Sequence, residues 1–224
     1  MAQRIEPPDS FDDFPTLPFA TRALAEQVIK PRGLPFGRAW EPAANRGYMV
    51  RPMREYFDSV HASDVFDYSP EWPKGMPVFG PDGRPRDDEG LQRLCDFLIP
   101  GSEPLHITRN PVDWIWSNPP FRLAEEFIMR AFDLARVGCA MLVRTSFLES
   151  VGRYERIFRP MPPTIAAIFV ERVPMVKGRI DRKASTATSY SWLVWIKGAK
   201  PEPLQWIAPC RKTLEHDRDY EAVR

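Results

Sequence analysis

The segment Trp114-Ile115-Trp116-Ser117-Asn118-Pro119-Pro120-Phe121 constrains the fold of this chain more than any other. An apolar run that reads as a buried strand meets two consecutive prolines, and residues 122–135 then carry helical character. Proline has no amide hydrogen and a fixed φ, so neither sheet nor helix continues through the pair, and a stiff loop must join a strand to a helix. Two backbone donors are missing there, which leaves nearby carbonyls without local partners. Such a loop suits an amino group: its hydrogens go to the Asn118 side-chain oxygen and the Pro119 carbonyl. The nitrogen lone pair then points at an electrophile, and Phe121 stacks on the attached ring. The plainer alternative is an ordinary proline turn after a buried strand, and the tetrapeptide alone leaves both readings open.

With 224 residues, the chain suits one α/β domain better than two. A net charge of +1 excludes a global basic field, so any nucleic-acid contact must come from a local patch. Cys95, Cys139 and Cys210 are odd in number and lack metal-ligand spacing. They fit packing roles in a reducing compartment, and no metal is expected. No N-terminal signal pattern is visible and the apolar runs are short, so a soluble cytoplasmic protein without membrane association is expected.

Residues 1–15 are acidic and proline-bearing, and an extended arm is predicted there. Residues 16–224 are expected to form the single domain. Helical periodicity covers 21–30, and again 48–57 with Pro52 in the first turn. Strands are predicted at 38–41, 60–64, 94–98, 113–117, 140–144, 165–171 and 190–196, with a surface insertion over 68–90 and a basic loop over 177–188. Strands alternating with helices predict a mostly parallel seven-stranded sheet covered on both faces.

A second motif lies upstream. The strand ending at Glu41 runs into Pro42-Ala43-Ala44-Asn45-Arg46-Gly47-Tyr48-Met49, a turn of small residues that lets a nucleoside ligand approach the backbone. A carboxylate at that strand tip suits an ammonium group. Asp64 closes the next strand about 20 residues on, where an acid can accept both ribose hydroxyls. Either acid alone also fits an ordinary capping or surface role; their order strengthens the joint reading.

Together these residues resemble class I S-adenosylmethionine-dependent methyltransferases, and within them the small phage and prophage DNA N6-adenine methyltransferases with an Asn-Pro-Pro-aromatic motif. Phe14 to Arg22, containing Thr16, Pro18 and Phe19, looks like the segment before their cofactor loop, and Glu41 to Met49 is similar to their Glu-Pro-Ala-Cys-Gly-x-Gly-x-Met loop. Asp64 with Val65 resembles the ribose-binding position, and Asp96-Phe97 the pair that holds the adenine. Asn118, Pro119, Pro120 and Phe121 match the catalytic motif without substitution, and 173–178 with 183–188 resembles the late loop. The order of cofactor loop before catalytic motif is that of the γ-type enzymes.

The resemblance implies a Rossmann-like fold and S-adenosylmethionine as cofactor, bound by Thr16, Pro18, Phe19, Glu41, Pro42, Ala43, Asn45, Gly47, Asp64, Val65, Asp96, Phe97 and Asn118. It implies direct in-line methyl transfer to the N6 amine of a flipped or unpaired adenine, with DNA as partner and RNA open, by a monomer or homodimer. Arg122, Arg144, Lys177, Arg179, Arg182, Lys183, Ser185 and Thr186 are expected at the nucleic acid, against the alternative of a solvated loop. Asn45 departs from the family's glycine, and Asn tolerates left-handed backbone better than other non-glycine residues. Methylation of an RNA base or a protein glutamine, or a cofactor-binding module without turnover, are the alternatives.

Overall fold

The computed structural model describes residues 12–68, 78–79, 85–86 and 93–220. Its main sheet has eight strands: β1 (Arg38–Glu41), β2 (Ser59–Asp64), β5 (Arg93–Leu94), β6 (Trp114–Ser117), β7 (Gly138–Arg144), β8 (Ile165–Phe169), β9 (Tyr190–Ile196) and β10 (Gln205–Ile207). Two short strands, β3 (Val78–Phe79) and β4 (Pro85–Arg86), pair antiparallel within the expected surface insertion, whose remaining residues from 69 to 90 lie outside the described ones. Residues 1–11 of the expected arm do too.

Across the main sheet the order is β10-β8-β9-β7-β6-β1-β2-β5. All neighbours are parallel except β9, which runs antiparallel to both β7 and β8. Seven strands were expected; the eighth, β10, is a three-residue edge strand beside β8.

Both faces of the sheet are covered, which explains why its central strands read as unbroken apolar runs. Trp114 and Trp116 of β6 join one core, while Ile115 between them joins the other. The same alternation sends Trp192 and Val194 of β9 to the first core and Leu193 and Trp195 to the second. Helix α1 (Pro18–Leu24) covers the first face, and α4 (Ala124–Leu134) covers the second with Phe127, Ile128 and Ala131. Between β7 and β9 the backbones approach closely at Gly138, where a Cβ would stand 2.1 Å from the Trp195 carbonyl oxygen.

Several predicted bounds shift for local reasons. Helix α1 starts earlier than residue 21 because Pro18 sits in its first turn, and it passes into a π turn (Ala25–Ile29) and a 3-10 turn (Lys30–Arg32) before Gly33 ends it at φ 63°. Helix α2 keeps Pro52 in its first turn but shrinks to Val50–Met53. After it, Glu55 and Tyr56 donate to carbonyls three residues back, which tightens the chain and stops the α pattern. The third predicted strand, 94–98, is only β5, because the Asp96 carboxylate takes the Leu98 amide at 3.0 Å and turns the chain out of the sheet. The sixth ends at Phe169, and Glu171 instead accepts the amides of Cys210 and Arg211 at the start of the short helix Arg211–Leu214. Helix α3 (Leu105–Arg109) lies between the third and fourth predicted strands, where no helix was predicted. Cys95, Cys139 and Cys210 are free and buried. Among the described residues, no helix is long and apolar enough to cross a membrane.

Candidate active site

From β1 the chain moves outward to β2 and β5, then returns to the other side of β1 as β6. The connections leaving β1 and β6 therefore part in opposite directions, opening a crevice beyond the carboxyl ends of these parallel strands. Glu41 closes β1 and Ser117 closes β6. Their side chains meet there, the Ser117 hydroxyl donating to Glu41 Oε1 at 2.7 Å. The crevice continues into a cavity of about 210 Å³.

Most of the expected site residues converge on this cavity. Its wall includes Thr16, Pro42, Ala43, Asn45, Asp64, Val65, Asp96, Phe97 and the whole of Asn118-Pro119-Pro120-Phe121. Glu41 lies behind the wall, fully buried. Burial pushes its carboxyl up to about 8, although the Ser117 hydroxyl and the Ala43 amide at 3.0 Å favour the ionised form; the charge of Asp64 adds to the rise. Its Oε2 is buried and has no partner among the described residues. Three other expected residues stand outside the wall. Pro18 and Phe19 are buried at the start of α1, where Phe19 packs edge-on against Phe169, and Gly47 shapes the turn with φ 76°.

The turn after β1 is held by the next strand. Ala44 donates to the Ser63 carbonyl, and Asn45 donates its amide to Asp64 Oδ2, both at 2.9 Å. Asp64 Oδ1 takes the Phe66 amide at 3.0 Å. Burial raises the Asp64 pKa against the pull of these backbone donors. Asn45 adopts φ 49°, the left-handed conformation glycine would supply.

At the opposite wall, Asn118 is oriented by a neighbour that can only accept. The Phe14 carbonyl takes Asn118 Nδ2–H at 2.9 Å, which fixes the nitrogen on that side. Asn118 Oδ1 is consequently left buried without a hydrogen-bond partner among the described residues. Thr16 Oγ1, another wall residue, is also buried and has no partner among them. Three buried oxygens without partners around one cavity are an expensive arrangement for a fold unless a polar ligand completes them.

The Phe121 ring has two neighbours. Phe14 lies 5.6 Å away at an interplanar angle of 33°, and the Arg144 guanidinium sits 4.1 Å from the ring centroid. The Phe121 amide donates to the Asp12 carboxylate. Asp12 and Asp13 were not singled out within the arm, and Phe14 entered only as the first residue of the segment that resembles the one before the family's cofactor loop. An extended segment has no periodicity, and the Phe121 partner of Asp12 and the Asn45 and Arg46 partners of Asp13 are remote in sequence, so no pattern in the chain marked those two acids.

The residues expected at nucleic acid divide. Arg122 and Arg144 are exposed beside Phe121. Lys177, Arg179, Lys183 and Ser185 are exposed on the late loop, which reaches the cavity rim because Gly178 donates to the Asp13 carbonyl at 2.9 Å. Arg179 lies 3.4 Å from Asp181, and Thr186 Oγ1 accepts the Thr188 amide. Arg182 is committed elsewhere: it pairs with Asp217 at 2.7 Å and lies 5.5 Å from the centroid of the Tyr220 ring.

No protein-family model matches the sequence, and no curated protein matches it. Solved structures do. A Listeria monocytogenes protein described as a candidate class I S-adenosylmethionine-dependent methyltransferase superposes with a TM-score of 0.59 at 14% identity, over 90% of this chain and 69% of its own. A candidate RNA methyltransferase from Pyrococcus horikoshii gives 0.49 at 13% identity, over 79% and 83%. The 23S rRNA methyltransferase ErmE gives 0.49 at 12%, over 81% and 68%. At such identities a superposition speaks to architecture: this chain has the Rossmann-like fold of class I methyltransferases.

Proposed function

We propose that this protein is an S-adenosylmethionine-dependent methyltransferase whose acceptor is the exocyclic N6 amine of adenine in DNA. The observation that carries the reading is Asn118: its nitrogen is occupied by the Phe14 carbonyl, and its oxygen is buried and unpaired in the wall that Phe121 shares. An acceptor without a donor suits an amine, and an adjacent aromatic ring suits the base that bears it. Asn118 would then orient the amine and stabilise the positive charge that develops on nitrogen, so a separate strong base is unnecessary.

The residues also fit the cofactor. Asp64 lies at the tip of β2 and suits the ribose, Asp96 and Phe97 suit the adenine, and the unpaired oxygens of Thr16 and Glu41 suit the polar amino-acid end. When bound, the sulfonium supplies a methyl group already attached to a good leaving group. The chain's own contribution is to align the amine with it and keep water out. Phe121 would stack the base once Arg144 leaves the ring it lies over, and Arg144 and Lys183 would meet phosphates. A base within a duplex must leave the stack to reach this wall.

Labelled methyl transfer to DNA, RNA and protein pools, with mass spectrometry of the hydrolysed product, tests the proposal. N6-methyladenine in DNA is expected; label in glutamine, guanine or cytosine with adenine unmodified refutes it. Asn118→Ala is expected to abolish transfer while S-adenosylhomocysteine still binds through the other expected contacts, because it removes the acceptor that orients the amine. Phe121→Ala is expected to weaken target capture by roughly 1 to 3 kcal/mol through lost stacking.

A further inference from the structure

The turn that departs from glycine at Asn45 is also the one that fastens the segment ahead of the domain. Asn45 Nδ2 donates to Asp13 Oδ1 at 2.7 Å, and Asn45 Oδ1 accepts the Arg46 amide at 2.7 Å and the Arg46 guanidinium at 3.1 Å. That guanidinium also donates to both Asp13 oxygens, at 2.9 and 3.0 Å. Asp13 and Arg46 are 13% and 15% exposed, so water screens the pair weakly. From this anchor the segment runs along the cavity to the late loop and the Asn-Pro-Pro-Phe loop. The Asp13 carbonyl accepts from Gly178, the Asp12 carboxylate accepts from the Phe121 amide, and the Phe14 carbonyl orients Asn118. Asp12, Phe14 and Thr16 line the cavity itself.

We propose that residues 12–16 are a strap that retains the bound cofactor and sets the Asn118 amide, with Asp13 as its positioning residue and Asn45 as the clasp. The inference rests on the reading of the cavity as the S-adenosylmethionine site. Glycine in the same turn would meet the backbone demand with less strain but has no side chain to reach Asp13. Asparagine accepts the left-handed conformation and gains a donor for the strap, together with an acceptor that holds Arg46 against it. On this account the departure from glycine governs how fast the ligand leaves.

The test is the dissociation rate of S-adenosylhomocysteine from the full chain, followed by displacement, with amide hydrogen exchange over residues 12–17. Asp13→Ala removes charge-assisted bonds and is expected to accelerate dissociation about tenfold and to remove exchange protection from 12–17. Asn45→Gly should accelerate it less, since Arg46 still holds Asp13, and adding it to Asp13→Ala should change nothing further. Asp13→Asn, which keeps an acceptor for Asn45, should recover part of the loss; general destabilisation would not produce that ordering. If Asp13→Ala fails to fold, Asn45→Gly carries the test, because glycine accepts the backbone conformation of residue 45. A wild-type protein that binds no S-adenosylhomocysteine overturns the cofactor reading and the strap with it. Binding by the wild type, with dissociation unchanged in Asp13→Ala, or in Asn45→Gly where that variant stands in, overturns the strap alone.

Discussion

At the scale of single residues, Glu41 shows how a site can oppose the stability of its own fold. Its carboxyl titrates at about 8 in the folded chain against an ordinary 4.5, chiefly because burial penalises the charge. Between those values the folded state keeps a proton that the unfolded state has released, so this group's contribution to stability falls as pH rises through the window and levels off above it. Glu41→Gln keeps an oxygen for Ser117 and Ala43 and carries no charge. Thermal melts should therefore show the variant gaining on the wild type between about pH 5 and about pH 8.5. A constant gap across that range would mean that the fold imposes no penalty on the ionised side chain. A cationic ligand group beside Oε2 would pull the carboxyl back down, so cofactor binding near neutral pH should release up to one proton, measurable by calorimetry in buffers of different ionisation heat.

At the scale of elements, α1 is tied to the end of the described chain by one buried cation. Arg22, 2% exposed, pairs with Asp219 and Glu55, each at 2.7 Å, and donates to the Leu214 carbonyl at 2.8 Å. Removing the cation strands a carboxylate that is itself only 5% exposed. Arg22→Ala should therefore lower stability by roughly 3 to 5 kcal/mol in urea unfolding, and adding Asp219→Leu should recover part of that. None of these links was legible in the sequence, because each partner lies at least 33 residues from Arg22. What was legible follows the same logic in reverse. Strands β1 and β9 match their predicted bounds, since an apolar run closed by turn residues needs no distant information. Strand β10 was missed: three residues after Pro201 and Pro203 carry no period, and only pairing with β8 makes them a strand. The candidate site was readable where chemistry concentrates in short motifs, as at Glu41 to Asn45 and Asn118 to Phe121. It was unreadable at Asp12 and Asp13, whose importance lies wholly in what they touch.

At the scale of the whole molecule, a sheet that reverses its winding between β1 and β6 places the turn after Glu41 and the Asn-Pro-Pro-Phe loop at one crevice, although 76 positions separate Glu41 from Ser117. A net charge of +1 gives such a molecule no general attraction for nucleic acid. On the proposed function, affinity for DNA must come from a few local cations, and these differ in what the fold leaves them to do. Arg182 is paired with Asp217, whereas Arg144 lies over Phe121 and Lys183 extends from the exposed loop. Each phosphate contact on duplex DNA contributes about 0.9 to the slope of log affinity against log salt. Replacing Arg144 and Lys183 together by alanine should therefore flatten that slope by roughly 1.5 to 2. Arg182→Ala should leave the slope unchanged while loosening the C-terminal segment, because its charge is already neutralised within the protein. Titrations at several salt concentrations separate the two behaviours. Equal slopes for wild type and the double variant would remove these residues from the DNA interface and return the loop to a solvated role.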